Sequence, residues 1–127
     1  MKHMTPTEAS RIMFALLQKV RTSTGGGGQL SLAAATTLFA AMKNPGELQF
    51  DLLKEVGGVT AAAISRQIDL LDGNTKTKAG EQIPRLLQRN RADTSRVNNR
   101  IDLTPEGAAF AKEFADYFNS QLERALR

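Results

Sequence analysis

The stretch of residues 57–71, in which two glycines are followed by a predicted helix, constrains the fold of this 127-residue chain more than any other. Two glycines break the helical pattern, and Thr60 can then accept the first free backbone N–H groups of a new helix. Ile64, Ile68 and Leu71 recur at i, i+4 and i+7 of that helix, which predicts one buried stripe. Helix, glycine turn and second helix is the layout of a helix-turn-helix, whose second helix enters the major groove of DNA. An ordinary helical hairpin packed into a core would show the same pattern.

The remaining positions of that helix are mostly small or polar. They include Ala61, Ala62, Ser65, Arg66 and Asp69. Small side chains let a helix lie close against another surface, as a helix in a DNA groove must.

Composition indicates a single globular domain over residues 1–127, with 41% hydrophobic and 24% charged residues. No apolar run approaches the roughly 18 residues that cross a membrane, and no signal-peptide pattern is present, so we expect a cytoplasmic protein without membrane contact. The absence of cysteine excludes a disulfide framework and thiolate catalysis. Because His3 is the one histidine, no metal site is expected.

The other signals for enzyme or cofactor chemistry are weak. The glycines at 25–28 are not followed by Lys-Ser/Thr, so we interpret them as a linker and not as a phosphate loop. Asp69, Asp72 and Glu81 are interpreted as solvated helix-end and loop charges, and no carboxylate pair suggests separated pKa values. We therefore expect neither enzymatic activity nor a cofactor.

The excess positive charge is concentrated in one segment. The net charge is +4, and residues 83–100 account for all of it, with five arginines against one acid, Asp93. The arginines are Arg85, Arg89, Arg91, Arg96 and Arg100. Arginine suits contacts with phosphates and base edges because the guanidinium group is a planar fork of donors.

A first helix is predicted over residues 6–22, with Thr5 as its cap. Its apolar stripe consists of Ile12, Leu16 and Val20, widened by Met13 and Leu17. A face this broad on a terminal helix needs cover from the core or from a second subunit.

Two more helices are predicted to support the helix that Thr60 caps. Ser31 caps one that runs to Lys43 and stops at the turn of residues 44–46, and the other covers residues 47–56. The inward face of the first of these is predicted to contain Leu32, Ala35, Leu38, Phe39 and Met42.

A hairpin with a basic tip is predicted next. Residues 97–103 alternate in the manner of a strand and can pair with residues 83–89, where Pro84 is acceptable at a strand start. A short helix at Leu86 and Leu87 is the alternative. Residues 73–82, before the hairpin, are polar and aperiodic and are predicted to form a loop.

A long final helix is predicted over residues 105–127, with Thr104 as its cap and Pro105 at its first position. Its apolar stripe consists of large side chains, which are Phe110, Phe114, Phe118, Leu122 and Leu126. Helix pairing, within or between subunits, is a better explanation of this stripe than a cofactor pocket.

Taken together, these elements predict a mainly α (α+β) protein, a winged helix-turn-helix with a two-stranded β wing. Residues 30–103 would form a DNA-binding lobe, and the long helices at 5–22 and 105–127 would pair within or between subunits. One helix would read the major groove, and the wing would reach phosphates or the minor groove.

In this order the segments resemble the MarR family of bacterial winged-helix transcriptional regulators. The resemblance covers most of the chain from about residue 30 onward, and its most specific parts are Ile64-Ser65-Arg66 and residues 103–107, Leu-Thr-Pro-Glu-Gly. The other matching segments are residues 38–42, 44–46, 52–57, 59–60, 67–71, 86–89 and 101–102.

The resemblance implies a homodimer whose terminal helices interlock, with two recognition helices in successive major grooves of a palindromic DNA site. Many relatives respond to small aromatic compounds, so an effector of that class is a further expected partner. The residues expected to contact DNA are Thr60, Ala61, Ala62, Ala63, Ser65, Arg66, Arg89, Arg91 and Arg96. Those expected at the dimer interface are Ile12, Leu16, Val20, Phe114, Phe118 and Leu122.

The chain departs from the family pattern in three places. The segment before the wing is about ten residues longer than the family's connection. In the wing, Ser95 precedes Arg96 where the family has an acidic-x-arginine signature, and Asp93 is displaced. Three alanines open the recognition helix where polar residues are usual, which shifts direct base contact to Ser65 and Arg66 and makes thymine methyl groups plausible partners for the alanines.

A second function is compatible with the same fold. The chain could be a protein-interaction module, of the kind found in mobile elements or phages, that binds a transcription or replication complex through the 73–82 insertion. The alanine-rich helix and the small net charge favour this alternative, which predicts only weak, non-specific DNA binding.

Overall fold

The computed structural model describes residues 3–24, 30–73, 83–90 and 99–127, and these contain five α-helices and one small antiparallel sheet. The helices are α1 (Pro6–Ser23), α2 (Leu32–Lys43), α3 (Gln49–Val56), α4 (Ala61–Leu71) and α5 (Pro105–Leu126). The strands are β1 (Glu47–Leu48), β2 (Leu87–Asn90) and β3 (Arg100–Leu103). The predicted architecture, mainly helical with a small β wing, is confirmed.

Four of the helices begin where the sequence predicts a cap. In each case a side-chain hydroxyl accepts a hydrogen bond from the backbone N–H three residues later, at distances from 2.9 to 3.1 Å. The caps are Thr5, Ser31, Thr60 and Thr104. Each satisfies an N–H group that the first turn of a helix would otherwise leave without a partner.

The sheet contains a third strand that the sequence analysis missed. Glu47 and Leu48, predicted as the start of a helix, form β1 and pair with β3, so the strand order is β1-β3-β2. On either side of β1, the Gly46 N–H donates to the carbonyl oxygen of Ile101 at 2.9 Å, and the Gln49 N–H donates to that of Asn99 at 2.8 Å. Pairing with β3 therefore satisfies backbone donors that a helix start at residue 47 would have left free.

The two strands of the wing are shorter than predicted. β2 starts at Leu87 rather than at residue 83, which also excludes the alternative short helix at Leu86 and Leu87. Residues 91–98, where the predicted wing tip lies, are outside the described residues. In the paired part, Arg89 lies opposite Ile101 and Asn90 lies opposite Arg100.

The inward face of α2 differs from the prediction. Leu32, expected to face inward, is 77% exposed, whereas Ala34, Leu38 and Ala41 are buried. These three positions follow the i, i+4, i+7 pattern of the face that packs on α3 and α4, and Leu32 at the first helical position lies outside that contact.

The core lies between α2, α4, the sheet and the start of α5. It includes Leu38, Leu52, Ile64, Ile68, Leu71, Ile83, Leu87, Ile101 and Phe110. The three predicted stripe residues of the 57–71 segment are all part of it. α1 packs along α5, and Lys19 forms an ion pair with Glu113 at 2.6 Å between them. None of the helices within the described ranges has both the length and the apolarity to cross a bilayer.

Candidate nucleic-acid interface

The turn between α3 and α4 is made by two glycines with left-handed backbones. Gly57 has φ 66° and Gly58 has φ 65°, a region that residues with a Cβ rarely adopt. The Gly57 N–H closes α3 by donating to the Leu53 carbonyl oxygen at 3.1 Å. The helix-turn-helix predicted from this stretch is therefore present, with Thr60 as the N-cap of its second helix.

α4 separates a buried face from a solvent-facing one. Ile64, Ile68 and Leu71 are completely buried against the core. On the other side Ala61, Ala62 and Arg66 are exposed, and Thr60 is exposed at the cap; Ala63 and Ser65 are half-buried. The face predicted to contact DNA is therefore free of protein contacts over most of its length, and its small side chains allow close approach of a groove.

The described strands of the wing contain two arginines, Arg100 and Arg89, which differ in their exposure to solvent. Arg100 on β3 is exposed and donates one hydrogen bond, from Nη1 to the carbonyl oxygen of Gly46 at 3.0 Å. Arg91 and Arg96, two of the predicted DNA contacts, lie outside the described residues.

Arg89, the third arginine predicted to contact DNA, is engaged within the protein. Its Nε donates to Gln49 Oε1 at 3.2 Å, and its Nη1 forms an ion pair with the Asp69 carboxylate. Its Nη2 donates to the carbonyl oxygen of Ser65 at 3.0 Å and to Ser65 Oγ at 3.2 Å. The side chain is 18% exposed, so β2, α3 and α4 meet at this guanidinium group.

The carboxylates in α4 and at its C-cap are not the solvated charges that were expected from the sequence. Asp69 is paired with Arg89, and Asp72 accepts from Nε of Arg85 at 2.8 Å. Both arginines lie on or next to β2, so the two ion pairs join α4 and its C-cap residue to the wing. The interpretation of these acids was wrong because their partners are 13 and 20 positions away in sequence.

The sequence analysis also missed two polar residues at this junction. Gln49 and Asn99 line a cavity of about 380 Å³ together with Ser65, Asp69 and Arg89. For Arg89, the sequence contained one signal of its position. Leu87 and Arg89 are two apart on a strand, so a buried Leu87 places Arg89 on the face toward the helices. No local pattern indicates Gln49 or Asn99, because both reach the cavity through the pairing of β1 with β3.

A second group of charged side chains surrounds Glu47 at the start of β1 and includes Lys43 and Glu55. Lys43 forms an ion pair with Glu55, which lowers the pKa of Glu55 and raises that of Lys43. Burial, and next the charge of Glu55, raise the pKa of Glu47. Among the described residues, no cluster of three or more His, Cys, Asp or Glu side chains could hold a metal ion.

Comparison with known proteins relates the chain to others through its structure alone. No family model and no curated protein sequence matches it. Among solved structures, Rv1404 from Mycobacterium tuberculosis superposes with a TM-score of 0.65 at 19% identity, over 94% of this chain and 73% of that one. The transcriptional repressor CouR, bound to a 23-mer DNA duplex, superposes with a TM-score of 0.58 at 18% identity and with the same coverage.

A third similar structure is a MarR-like transcriptional regulator from Thermotoga maritima, with a TM-score of 0.55 at 20% identity over 98% of this chain and 82% of that one. The chain has the MarR winged-helix fold. In this winged-helix fold, α4 is the second helix of the helix-turn-helix and β2–β3 is the wing, as the sequence resemblance implied. At these identities the comparison establishes the fold and not the activity.

Proposed function

We propose that this MarR-like protein is a sequence-specific, double-stranded DNA-binding transcriptional regulator that acts as a homodimer in the cytoplasm. The observation that carries the proposal is the two-sided character of α4. One face is fixed in the core by three completely buried residues, and the other presents Ala61, Ala62 and Arg66 to solvent beside the wing. The similarity to CouR, which was solved with DNA, supports the same conclusion.

In this proposal Arg66 is the principal base-reading residue. It is the exposed residue on α4 with a fork of donors that can bond guanine O6 and N7. The exposed alanines cannot form hydrogen bonds to bases, and they suit contact with thymine methyl groups. Arg100, Arg91 and Arg96 would supply phosphate or minor-groove contacts, so affinity should fall steeply as salt concentration rises.

The homodimer is proposed from the two terminal helices. α1 and α5 pack on each other, yet both keep apolar side chains on the surface. Leu16 and Val20, which were expected to contact the partner, are buried within the protomer and have little surface left for it. Ile12, Phe114, Phe118 and Leu122 remain in the proposal because each retains exposed surface.

A small aromatic effector is proposed as a regulatory ligand. A cavity of about 430 Å³ lies between α1 and α5 and has Arg11, Tyr117 and Arg124 in its lining. Its size is within the range of small-molecule sites, and the arginines favour a compound that carries a carboxylate.

The proposal is tested by titrating the purified protein against a library of palindromic duplexes and a scrambled duplex at two salt concentrations. We expect enrichment of a two-fold symmetric site and weaker binding at higher salt. On that site Arg66→Ala should weaken binding by about 1–3 kcal/mol.

The matched control for Arg66→Ala is Arg21→Ala, which removes the same charge from the exposed surface of α1. Because Arg21 lies on α1, which packs mainly on α5, this variant should bind the selected site almost as the unmodified protein does. Equal affinity of the Arg66 variant and the Arg21 variant would exclude α4 as the reading element.

A second candidate function is supported by one observation. Leu32 and Val59 are exposed at the rim of an apolar groove of about 340 Å³, formed by α2 and the helix-turn-helix. Such a groove suits a protein-interaction module that binds a transcription or replication complex. In that case the titration would show weak binding without sequence preference, and Leu32→Gln would abolish capture of the protein partner. The 73–82 insertion, the contact predicted from sequence, lies outside the described residues except for Gly73.

A further inference from the structure

We infer that Arg89 is a positioning residue, which fixes the recognition helix to the wing through Asp69 and holds the Ser65 hydroxyl as a hydrogen-bond donor toward DNA. The inference rests on the proposed DNA-binding function. It gives Arg89 a different role from the direct DNA contact predicted from the sequence.

The guanidinium group of Arg89 is almost fully engaged by hydrogen bonds within the protein. Its three nitrogens make four hydrogen bonds, to Gln49 Oε1, the Asp69 carboxylate, the Ser65 carbonyl oxygen and Ser65 Oγ. A bidentate contact with a phosphate needs two adjacent N–H groups of one fork. Such a contact would require Arg89 to release partners on α4, at a site where it is only 18% exposed.

The positive charge of Arg89 already has a counter-ion within the protein. The Asp69 carboxylate cancels the charge of Arg89 at close range, and it would repel a phosphate brought to the same guanidinium group. The pair is thus poorly suited to attract DNA. It is well suited to hold two elements together, because removal of one partner leaves the other charged and half-buried without its counter-ion.

Arg89 also restricts the direction of the Ser65 hydroxyl group. The Ser65 hydroxyl oxygen accepts a hydrogen bond from Arg89 Nη2 at 3.2 Å, and a guanidinium group has no acceptor to offer in return. The Ser65 hydroxyl hydrogen must therefore point away from Arg89. Ser65 is half-buried and lies one position before the exposed Arg66 on α4, so a hydroxyl hydrogen that turns away from Arg89 can reach an acceptor at the edge of the DNA-facing surface. Suitable acceptors there are a phosphate oxygen, guanine O6 or N7, or thymine O4.

The decisive variant is Arg89→Lys. Lysine keeps the charge and can still pair with Asp69 or with a phosphate, but it cannot bond Asp69, Ser65 and Gln49 together in one plane. We expect the ratio of affinities for the selected and scrambled duplexes to fall about tenfold, as for coupled neighbours in one network. The dependence of affinity on salt should not change. Asp69→Asn should lower the ratio by a similar factor, and the double variant should be no worse than either single variant.

The matched control is Arg85→Lys. Arg85 also pairs with a carboxylate, that of Asp72 at the C-cap of α4, but makes no hydrogen bond to Ser65. Its variant should keep the affinity ratio. Urea unfolding of all variants supplies a readout without DNA, in which Arg89→Lys and Asp69→Asn should be less than additive because they break the same pair.

Two results would overturn the inference. In the first, Arg89→Lys binds like the unmodified protein and Arg89→Gln lowers the slope of log affinity against log salt by about 0.9, which is the loss of one phosphate contact. In the second, the Arg89 and Asp69 variants lower stability but leave the affinity ratio unchanged, so that the pair is merely structural. A protein that binds no duplex with preference would refute the proposed function itself. The inferred positioning role would then fall with it, while the urea data would still report whether the pair exists.

Discussion

At the scale of single residues, the contact between Gly107 and the Leu86 carbonyl group explains the Thr-Pro-Glu-Gly sequence at the start of α5. A Cβ built on Gly107 would lie 2.0 Å from that carbonyl oxygen, far inside van der Waals contact. The same oxygen accepts a hydrogen bond from the Thr104 N–H at 3.1 Å. The cap residue and the glycine three positions later therefore serve one purpose, which is to seat the first turn of α5 on the segment before β2.

Gly107→Ala should lower the free energy of unfolding by more than about 2 kcal/mol, because a backbone atom cannot move aside as a flexible side chain can. Helix propensity alone predicts the opposite, a gain of about 1 kcal/mol. Urea unfolding followed by circular dichroism measures the difference. Ala109→Ser, an exposed substitution on the same turn, is the control and should change stability little. Stability of Gly107→Ala equal to or above that of the unmodified protein would contradict the contact.

At the scale of elements, β1 places the carboxylate of Glu47 near that of Glu55 in the last turn of α3. Burial and the charge of Glu55 raise the pKa of Glu47 above its ordinary value of 4.5, so the folded protein holds that proton more tightly than the unfolded chain does. The stability that Glu47 contributes is present below its ordinary pKa and is lost as pH rises through its folded pKa. Glu55 acts in the opposite sense, because Lys43 lowers its pKa: its contribution is present above the ordinary value and is lost as pH falls through the folded pKa.

Glu47→Gln should therefore be more stable than the unmodified protein at neutral pH, and the advantage should vanish below about pH 4, where the glutamate is protonated. The amide can donate a hydrogen bond to Glu55 at any pH. Unfolding by urea at a series of pH values gives the comparison. Glu123→Gln, at an exposed site on α5, is the control and should show no comparable gain. A constant difference across the pH range would mean that ionisation of Glu47 is not responsible.

The elements also show which parts of the fold the sequence could predict. Helix starts were predictable because each depends on one hydroxyl and an N–H three residues away, as at Thr60 and Thr104. The two-residue strand β1 was not, because it exists through pairing with Arg100 and Ile101, more than fifty positions away. The same holds for the candidate interface. The exposed face of α4 followed from helical periodicity, whereas the engagement of Arg89 depends on contacts between β2, α3 and α4.

At the scale of the whole molecule, α1 has more apolar surface than the protomer covers. Phe14 is 67% exposed, and Met13 and Leu17 beside it are about half exposed. Phe118 and Leu126 on α5, the helix against which α1 packs, are also exposed. Exposed aromatic and aliphatic side chains on two adjacent helices are typical of a surface that another protein covers. We propose that a second copy of this chain covers it, which would place two α4 helices on one DNA duplex.

The double variant Phe14→Gln, Leu17→Gln tests this arrangement without changing charge and with a residue that favours helix. By sedimentation equilibrium we expect the unmodified protein at about twice the protomer mass of 13.8 kDa and the variant near the protomer mass. The variant should also lose the preference for a two-fold symmetric DNA site, because each protomer would then bind its half-site alone. Phe50→Gln, which removes an exposed phenylalanine from α3 instead, should leave the dimer intact. If the double variant still sediments as a dimer, the subunits associate through another surface. If the unmodified protein is a monomer at all concentrations, recognition of a palindrome by a preformed dimer is excluded.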